Sequence, residues 1–296
     1  MKNTFFALLG LLMCGLLPAQ ATNEQAAAAA ALPEAELMSI ERDAHSRLLL
    51  ITALVADTPM RMILDTGATH TILHKDSTKK IKKGAMWLNT SHIKFEGNTQ
   101  ERPEMMVANL QAGPGLAPRH PIVVLNLASV RSMMGEDVDG IIGMDILGSL
   151  PFTFDLKNGN YYWGTPEGAK LCPVRGKMER GGRMMVQGNC GGKALTMLLD
   201  TGSAITRVNA PDWAPGAGNE VMARLGNVNN TTHRKVVEGK PGDIDVAEGV
   251  SLKNVEPLLD EPGQSVLLGL DALKDSVLIH LPTQHSMYGQ FFLAQP

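Results

Sequence analysis

With 296 residues, 44% of them hydrophobic, the chain is long enough for two compact units of roughly 100–150 residues, each with its own core. A net charge of -3, with Lys and Arg scattered among acids, leaves no basic face for nucleic acid. The eight histidines show no ligand spacing and no cysteine lies in a C-x-x-C unit. G-x-S-x-G, H-E-x-x-H and P-loop motifs are absent too, so neither a metal nor a cofactor is expected.

In chain order, Lys2 precedes an apolar run from Phe5 to Leu17 and then Ala19-Gln20-Ala21, an A-x-A cleavage pattern. Residues 1–21 therefore read as a secretory signal peptide, which predicts export to a periplasm or the exterior and no stable membrane insertion after its removal. Cys14 is a poor lipidation site, because Met13 precedes it where a small residue is preferred. Residues 22–38 are Ala-rich and lack a two-sided hydrophobic pattern, which predicts a tether, with a propeptide as the other option. Short apolar runs bounded by Gly, Pro and Asn follow: Leu48–Val55, Met60–Leu64, Ile122–Leu127, Phe152–Leu156 and Tyr161–Trp163. Each reads as a strand, with Lys157-Asn158-Gly159-Asn160 as a hairpin turn. The basic run Lys75–Lys83 reads as a solvated helix. Met105-Met106, Met133-Met134 and Met184-Met185 read as adaptable core packing. Beyond the signal peptide, Cys172 and Cys190 are a possible disulfide pair, with two free buried thiols as the other reading.

A search for internal repetition gives the decisive pattern. Met62-Ile63-Leu64-Asp65-Thr66-Gly67-Ala68 matches Met197-Leu198-Leu199-Asp200-Thr201-Gly202-Ser203. Further on, Ile141-Ile142-Gly143-Met144-Asp145-Ile146-Leu147 matches Leu267-Leu268-Gly269-Leu270-Asp271-Ala272-Leu273. Asp65 to Asp200 is a step of 135 residues and Gly143 to Gly269 one of 126, so the order is kept while the intervening loop changes length. The halves are then 39–164 and 165–296. An apolar strand that ends in Asp-Thr-Gly places a carboxylate at a strand terminus, where glycine permits a tight loop and close approach of another backbone. One such triplet is an ordinary Asx turn; two copies in the same context build a site.

These residues resemble the aspartic peptidases of the pepsin and retropepsin type. The resemblance implies a mainly β, two-lobed fold in which each lobe is a retropepsin-like barrel, a pseudo-dimer in one chain. It implies an endopeptidase, monomeric and acting on peptide or protein substrates, in which Asp65 and Asp200 share a proton and activate one water molecule. Thr66 and Thr201 match the family's threonines that bond across the two loops, and Gly67 and Gly202 the glycines lying against the carboxylates. Gly143 and Gly269 match the segment that crosses beside each loop. Ser203 is placed to bond its own aspartate, whereas Ala68 at the matching position is not, and this predicts two unequal aspartates. His70 is expected to be a surface histidine. The chain departs from the family pattern in having no tyrosine where the flap hairpin belongs; Glu96–Gln100 or Ala112–Gly115 would supply its tip. A rival reading is a catalytically inactive peptide-binding or scaffold protein on the same fold, and another is a hydrolase that needs a second copy of itself.

Overall fold

The computed structural model describes residues 36–43, 47–88, 103–134, 137–226, 231–262, 266–283 and 286–294. Residues 1–21, read from the sequence as a signal peptide, and the Glu96–Gln100 flap candidate lie outside them. The architecture is mainly β, in three sheets.

The first half builds an eight-stranded sheet in the order Glu41–Arg42, Leu49–Val55, Thr58–Leu64, Gly140–Ile142, Ile72–His74, Gly115–Leu125, Glu104–Ala112 and Ala85–Leu88. Leu49–Val55 pairs a second time, with Glu104–Ala112 through Leu54↔Gln111 and Val55↔Leu110, and this closes six of the strands into a barrel. Leu49, Val55, Met60, Met62 and Leu64 fill its interior. Alternation of apolar and polar residues fixes which face turns inward, since a register slip of one residue would reverse it.

The second half repeats the central pairings in a more open ten-stranded sheet. Met62–Leu64 runs parallel to Gly140–Ile142 as Leu198–Leu199 runs parallel to Leu267–Leu268. Ile72 pairs with Ile141 and Val123 as Arg207 pairs with Leu267 and Leu258. The internal repeat of the sequence is therefore a repeat of strand topology.

A six-stranded sheet draws on both halves. Its order is Glu36–Leu37, Asn160–Trp163, Phe152–Asp155, Val277–Thr283, Ser286–Ala294 and Leu171–Pro173. Phe152 pairs with His280 across the boundary between the halves, and Phe152, Phe154 and Phe291 are fully buried there. Residues Pro33–Pro296 form one compact unit. The end of the Ala-rich segment does not hang free: Glu36 and Leu37 pair with Trp163 and Tyr162, and Met38 is buried.

Local expectations meet mixed outcomes. The hairpin turn after Asp155 forms as read, with Asp155 Oδ1 accepting the Asn158 amide at 2.9 Å and Gly159 at φ 73°. One methionine of each pair, Met106, Met134 and Met184, lies in the core. The basic run is no solvated α-helix; it holds a 3-10 turn, Ser77–Lys80, tied to the buried Asp139 through Ser77 Oγ and Lys80 Nζ, each at 2.6 Å. The Cys172–Cys190 bridge is not formed. Both thiols are free and buried, because Cys172 is held in the shared sheet opposite Leu293 and Cys190 at a hairpin end opposite Lys193. Among the described residues no helix is long and apolar enough to cross a membrane.

Candidate active site

Two strands, Thr58–Leu64 and Lys193–Leu199, carry Asp65 and Asp200 just past their ends. Each aspartate is fixed by the neighbouring crossing strand: the Asp65 amide donates to Ile142 O and the Asp200 amide to Leu268 O, both at 3.0 Å. The loops that follow are locked to each other. Thr66 Oγ1 donates to Leu199 O at 2.9 Å and accepts the Thr201 amide at 3.1 Å. Reciprocally, Thr201 Oγ1 donates to Leu64 O at 2.8 Å and accepts the Thr66 amide at 3.1 Å. Both threonines are completely buried. Each hydroxyl uses its one proton and one of its lone pairs, so four bonds join the halves directly beneath the carboxyls.

Glycine is required next to each aspartate by close approach. A Cβ on Gly67 would lie 2.6 Å from Asp200 Cγ, and one on Gly202 would overlap the Asp65 carboxyl. The two side chains thus sit against the opposite loop, each carboxyl within the electrostatic reach of the other. Asp65 Oδ1 also accepts the amides of Gly67 and Ala68, at 2.8 and 2.9 Å. Asp200 Oδ1 is buried without a hydrogen-bond partner among the described residues.

Burial raises the pKa of both carboxyls, but not equally. For Asp65 the desolvation is opposed by the Gly67 amide, the Asp200 side chain and the Ala68 amide. For Asp200 burial is reinforced by the charge and the side chain of Asp65, which hold it well above the ordinary carboxylate value despite the Gly202 and Ser203 amides. Two carboxyls this close cannot both ionise cheaply, so the pair holds one proton. Of the two, Asp200 is pushed further toward its neutral form, by burial and by the neighbouring Asp65 charge. Such a pair presents a base and an acid side by side at a single pH.

Of the other sequence candidates, Gly143 and Gly269 lie where the pattern puts them. A side chain on Gly143 would strike the His70 carbonyl at 2.7 Å, and one on Gly269 would strike that of Ile205 at 2.8 Å. Ser203 does not bond its aspartate with its hydroxyl; the Oγ donates to Ile205 O at 2.8 Å, the shorter local route. Inequality of the two aspartates therefore has other causes. His70 is exposed, with Nδ1 2.8 Å from Thr69 Oγ1. Ala112–Gly115 is a tight turn packed on Trp163 and Leu150 rather than a flap tip.

A second symmetric pair was not singled out from the sequence. Asp145 accepts the Thr71 amide and Thr71 Oγ1, both at 2.8 Å, and Asp271 accepts the Thr206 amide at 2.8 Å and Thr206 Oγ1 at 2.5 Å. Each threonine hydroxyl then accepts the amide of the crossing glycine, Gly143 at 3.3 Å or Gly269 at 3.1 Å. The signal was available, since both repeats read Gly-x-Asp and each triplet has a threonine six residues past its aspartate. Among the described residues no group of three or more His, Cys, Asp or Glu side chains is placed to hold a metal.

Residues 51–146 match the aspartyl protease family model. That span contains Asp65-Thr66-Gly67 and the Gly143 crossing. No curated protein matches the chain.

Proposed function

From an aspartyl protease domain at residues 51–146, we propose that the chain is an aspartic endopeptidase with both catalytic carboxyls, Asp65 and Asp200, in one polypeptide. The observation that carries this reading is the reciprocal closure of the two Asp-Thr-Gly loops, four hydrogen bonds between Thr66 and Thr201 and the opposing strands. An inactive scaffold has no use for two carboxyls forced together against their own repulsion.

Asp65, the less strongly raised of the two carboxyls, acts as the base: it takes a proton from a water bound between the carboxyls, and the resulting hydroxide attacks the peptide carbonyl. Asp200 gives its proton to the carbonyl oxygen, so charge does not accumulate on the tetrahedral intermediate. Collapse expels the amine, which leaves protonated, and the dyad returns to one proton shared by two carboxyls. No covalent bond to the enzyme forms. The substrate is an extended peptide or protein segment, bound by strand-like hydrogen bonds. Because one chain provides both carboxyls, the active species is a monomer. The cleavage pattern in residues 1–21 supports an exported compartment as its place of action.

The test is cleavage of a diverse peptide mixture by residues 22–296 across roughly pH 3 to 8, beside Asp65→Asn and Asp200→Asn. Cleavage by wild type alone supports the dyad and maps specificity. A folded protein that cuts nothing returns the reading to a peptide-binding scaffold.

A further inference from the structure

The two halves support their catalytic loops in the same way except at one residue. In each, a β-bulge interrupts the long hairpin behind the loop: the register shifts between Ala108 and Leu110 in the first half and between Gly242 and Ile244 in the second. Each bulge carries a non-glycine residue in the left-handed region, Arg119 at φ 50° and Asn254 at φ 49°. Each is held there by a side chain on the opposite strand, Asn109 Oδ1 accepting the Arg119 amide at 2.9 Å and Asp243 Oδ1 accepting the Asn254 amide at 3.1 Å. A bulge re-aims the side chain that follows it. In the second half that residue is Val255, buried and apolar. In the first half it is His120, whose Nε2 lies 2.9 Å from Asp145 Oδ2.

Asp145 is no isolated acid. Its Oδ2 also accepts the Thr71 amide, its Oδ1 the Thr71 hydroxyl, and that hydroxyl accepts the Gly143 amide. The next amide, Met144, donates to Ala68 O at 2.8 Å, while the Ala68 amide donates to Asp65 Oδ1 at 2.9 Å. Hydrogen bonds linked through the Gly143–Met144 and Ala68 backbone thus lead from His120 to Asp65. The second half has the same chain from Asp271 through Thr206 and Leu270 to Ser203, but there the extra donor is the Ala272 amide at 2.7 Å, a fixed backbone group. His120 stands in the first half, where among the described residues the amide that follows Asp145 is not bonded to its carboxylate.

We propose that His120 is a positioning residue for the Asp65 half of the dyad, acting through Asp145. The inference rests on the peptidase reading for its kinetic consequence, but not for its structural one. The Nε2–H bond fixes the Asp145 carboxylate, which fixes Thr71 and Gly143 and so the wall against which the Asp65 loop is folded. Outer hydrogen bonds of this kind set the geometry of reacting groups to fractions of an ångström.

The experiment compares wild type with His120→Ala, His120→Met and His120→Gln, measuring kcat and KM on one peptide and hydrogen exchange at individual amides without substrate. Met keeps length without a donor, and Gln restores an N–H at similar reach. The expected result is a kcat lower by roughly 10-fold in the Ala and Met variants with KM little changed, and recovery of most of the loss in Gln. Exchange at the Thr71 and Gly143 amides should quicken in Ala and Met, while Thr206 and Gly269 stay as they were. Unchanged kcat and exchange overturn the proposal, as does a loss that Gln fails to recover, which would assign the effect to ring packing. If Ala does not fold, the Met and Gln comparison decides. Should wild type cut no peptide while exchange changes only in the first half, the peptidase reading falls and the positioning role stands.

Discussion

Asp200 is a carboxyl that folding pushes toward its neutral form, and this ties activity to stability with a definite sign. Burial and the Asp65 charge raise its pKa well above the ordinary 3.8. A raised carboxyl binds its proton more tightly in the folded state, so its stabilising contribution is complete below the unfolded value and is lost as pH rises through the folded one. Replacing it with Asn removes that loss. Asp200→Asn should therefore lower kcat by about 100-fold or more yet melt at a higher temperature than wild type at pH 7, with the difference vanishing toward pH 3. A lower Tm at pH 7 would contradict the assignment. The threonines behave differently. Thr66→Ala leaves Leu199 O and the Thr201 amide without a partner, each costing about 1–3 kcal/mol, whereas Thr66→Ser keeps the hydroxyl. Urea denaturation should separate Ala from Ser by roughly 2–6 kcal/mol. The pairing of the two Asp-Thr-Gly loops was legible because a seven-residue match places them in the same strand context. Ser203 was misread because a hydroxyl's choice between two nearby acceptors depends on backbone geometry that the sequence does not display.

The strands Leu49–Val55, Thr58–Leu64, Phe152–Asp155 and Asn160–Trp163 were visible to within a residue or two, since apolar runs between turn formers have few other uses. Elements held by a distant partner were not. The basic run Lys75–Lys83 looks solvated until Asp139 is placed beside it. Asp139 then accepts Ser77 Oγ and Lys80 Nζ, accepts the Arg61 amide at 3.0 Å, and lies 3.7 Å from Arg131. One buried carboxylate thereby joins a 3-10 turn, a barrel strand and the helix Ala128–Met134. Burial alone would raise its pKa, but Lys80, Ser77 and the Arg61 amide outweigh burial and bring it below 3.8. Its contribution is present above the unfolded pKa and is lost as pH falls through the folded one, opposite in sign to that of Asp200. Asp139→Ala should destabilise the protein by about 3–5 kcal/mol at pH 7, less at pH 3, as read from urea midpoints at the two values. An equal loss at both would show that the role is packing rather than charge. At the second-half positions that match Ile72 and Leu125 stand Arg207 and Asp260, which form an ion cluster with Arg234, Asp260 accepting from Arg207 at 2.6 Å and Arg234 at 2.7 Å. The repeat fixes topology and leaves such substitutions free.

At the scale of the molecule, the duplication is visible in sequence but the joint between its copies is not, because the strands that form it come from the parts that do not repeat as motifs. Phe152–Asp155 pairs with Val277–Thr283 across the boundary, and Phe152 stacks on Phe154 at 4.6 Å and on His280 at 4.9 Å. His280 itself lies 2.8 Å from Leu150 O and 2.8 Å from Tyr288 O, touching both halves. Separation would return Phe152, Phe154 and Phe291 to water, at about 1.5–3 kcal/mol for each side chain, and would unpair the threonine hydroxyls beneath the dyad. Neither half is then stable alone, and the chain should unfold in one cooperative step. Variants retaining only Trp163, in the first half, or only Trp213, in the second, report each half by fluorescence; both residues are buried. Their urea midpoints should coincide with each other and with loss of cleavage. Residues 22–164 expressed alone should fail to fold, and co-expression with 165–296 should restore a soluble, active pair. Two separated midpoints, or a folded single half, would mean that the shared sheet holds two independent units together instead of completing one.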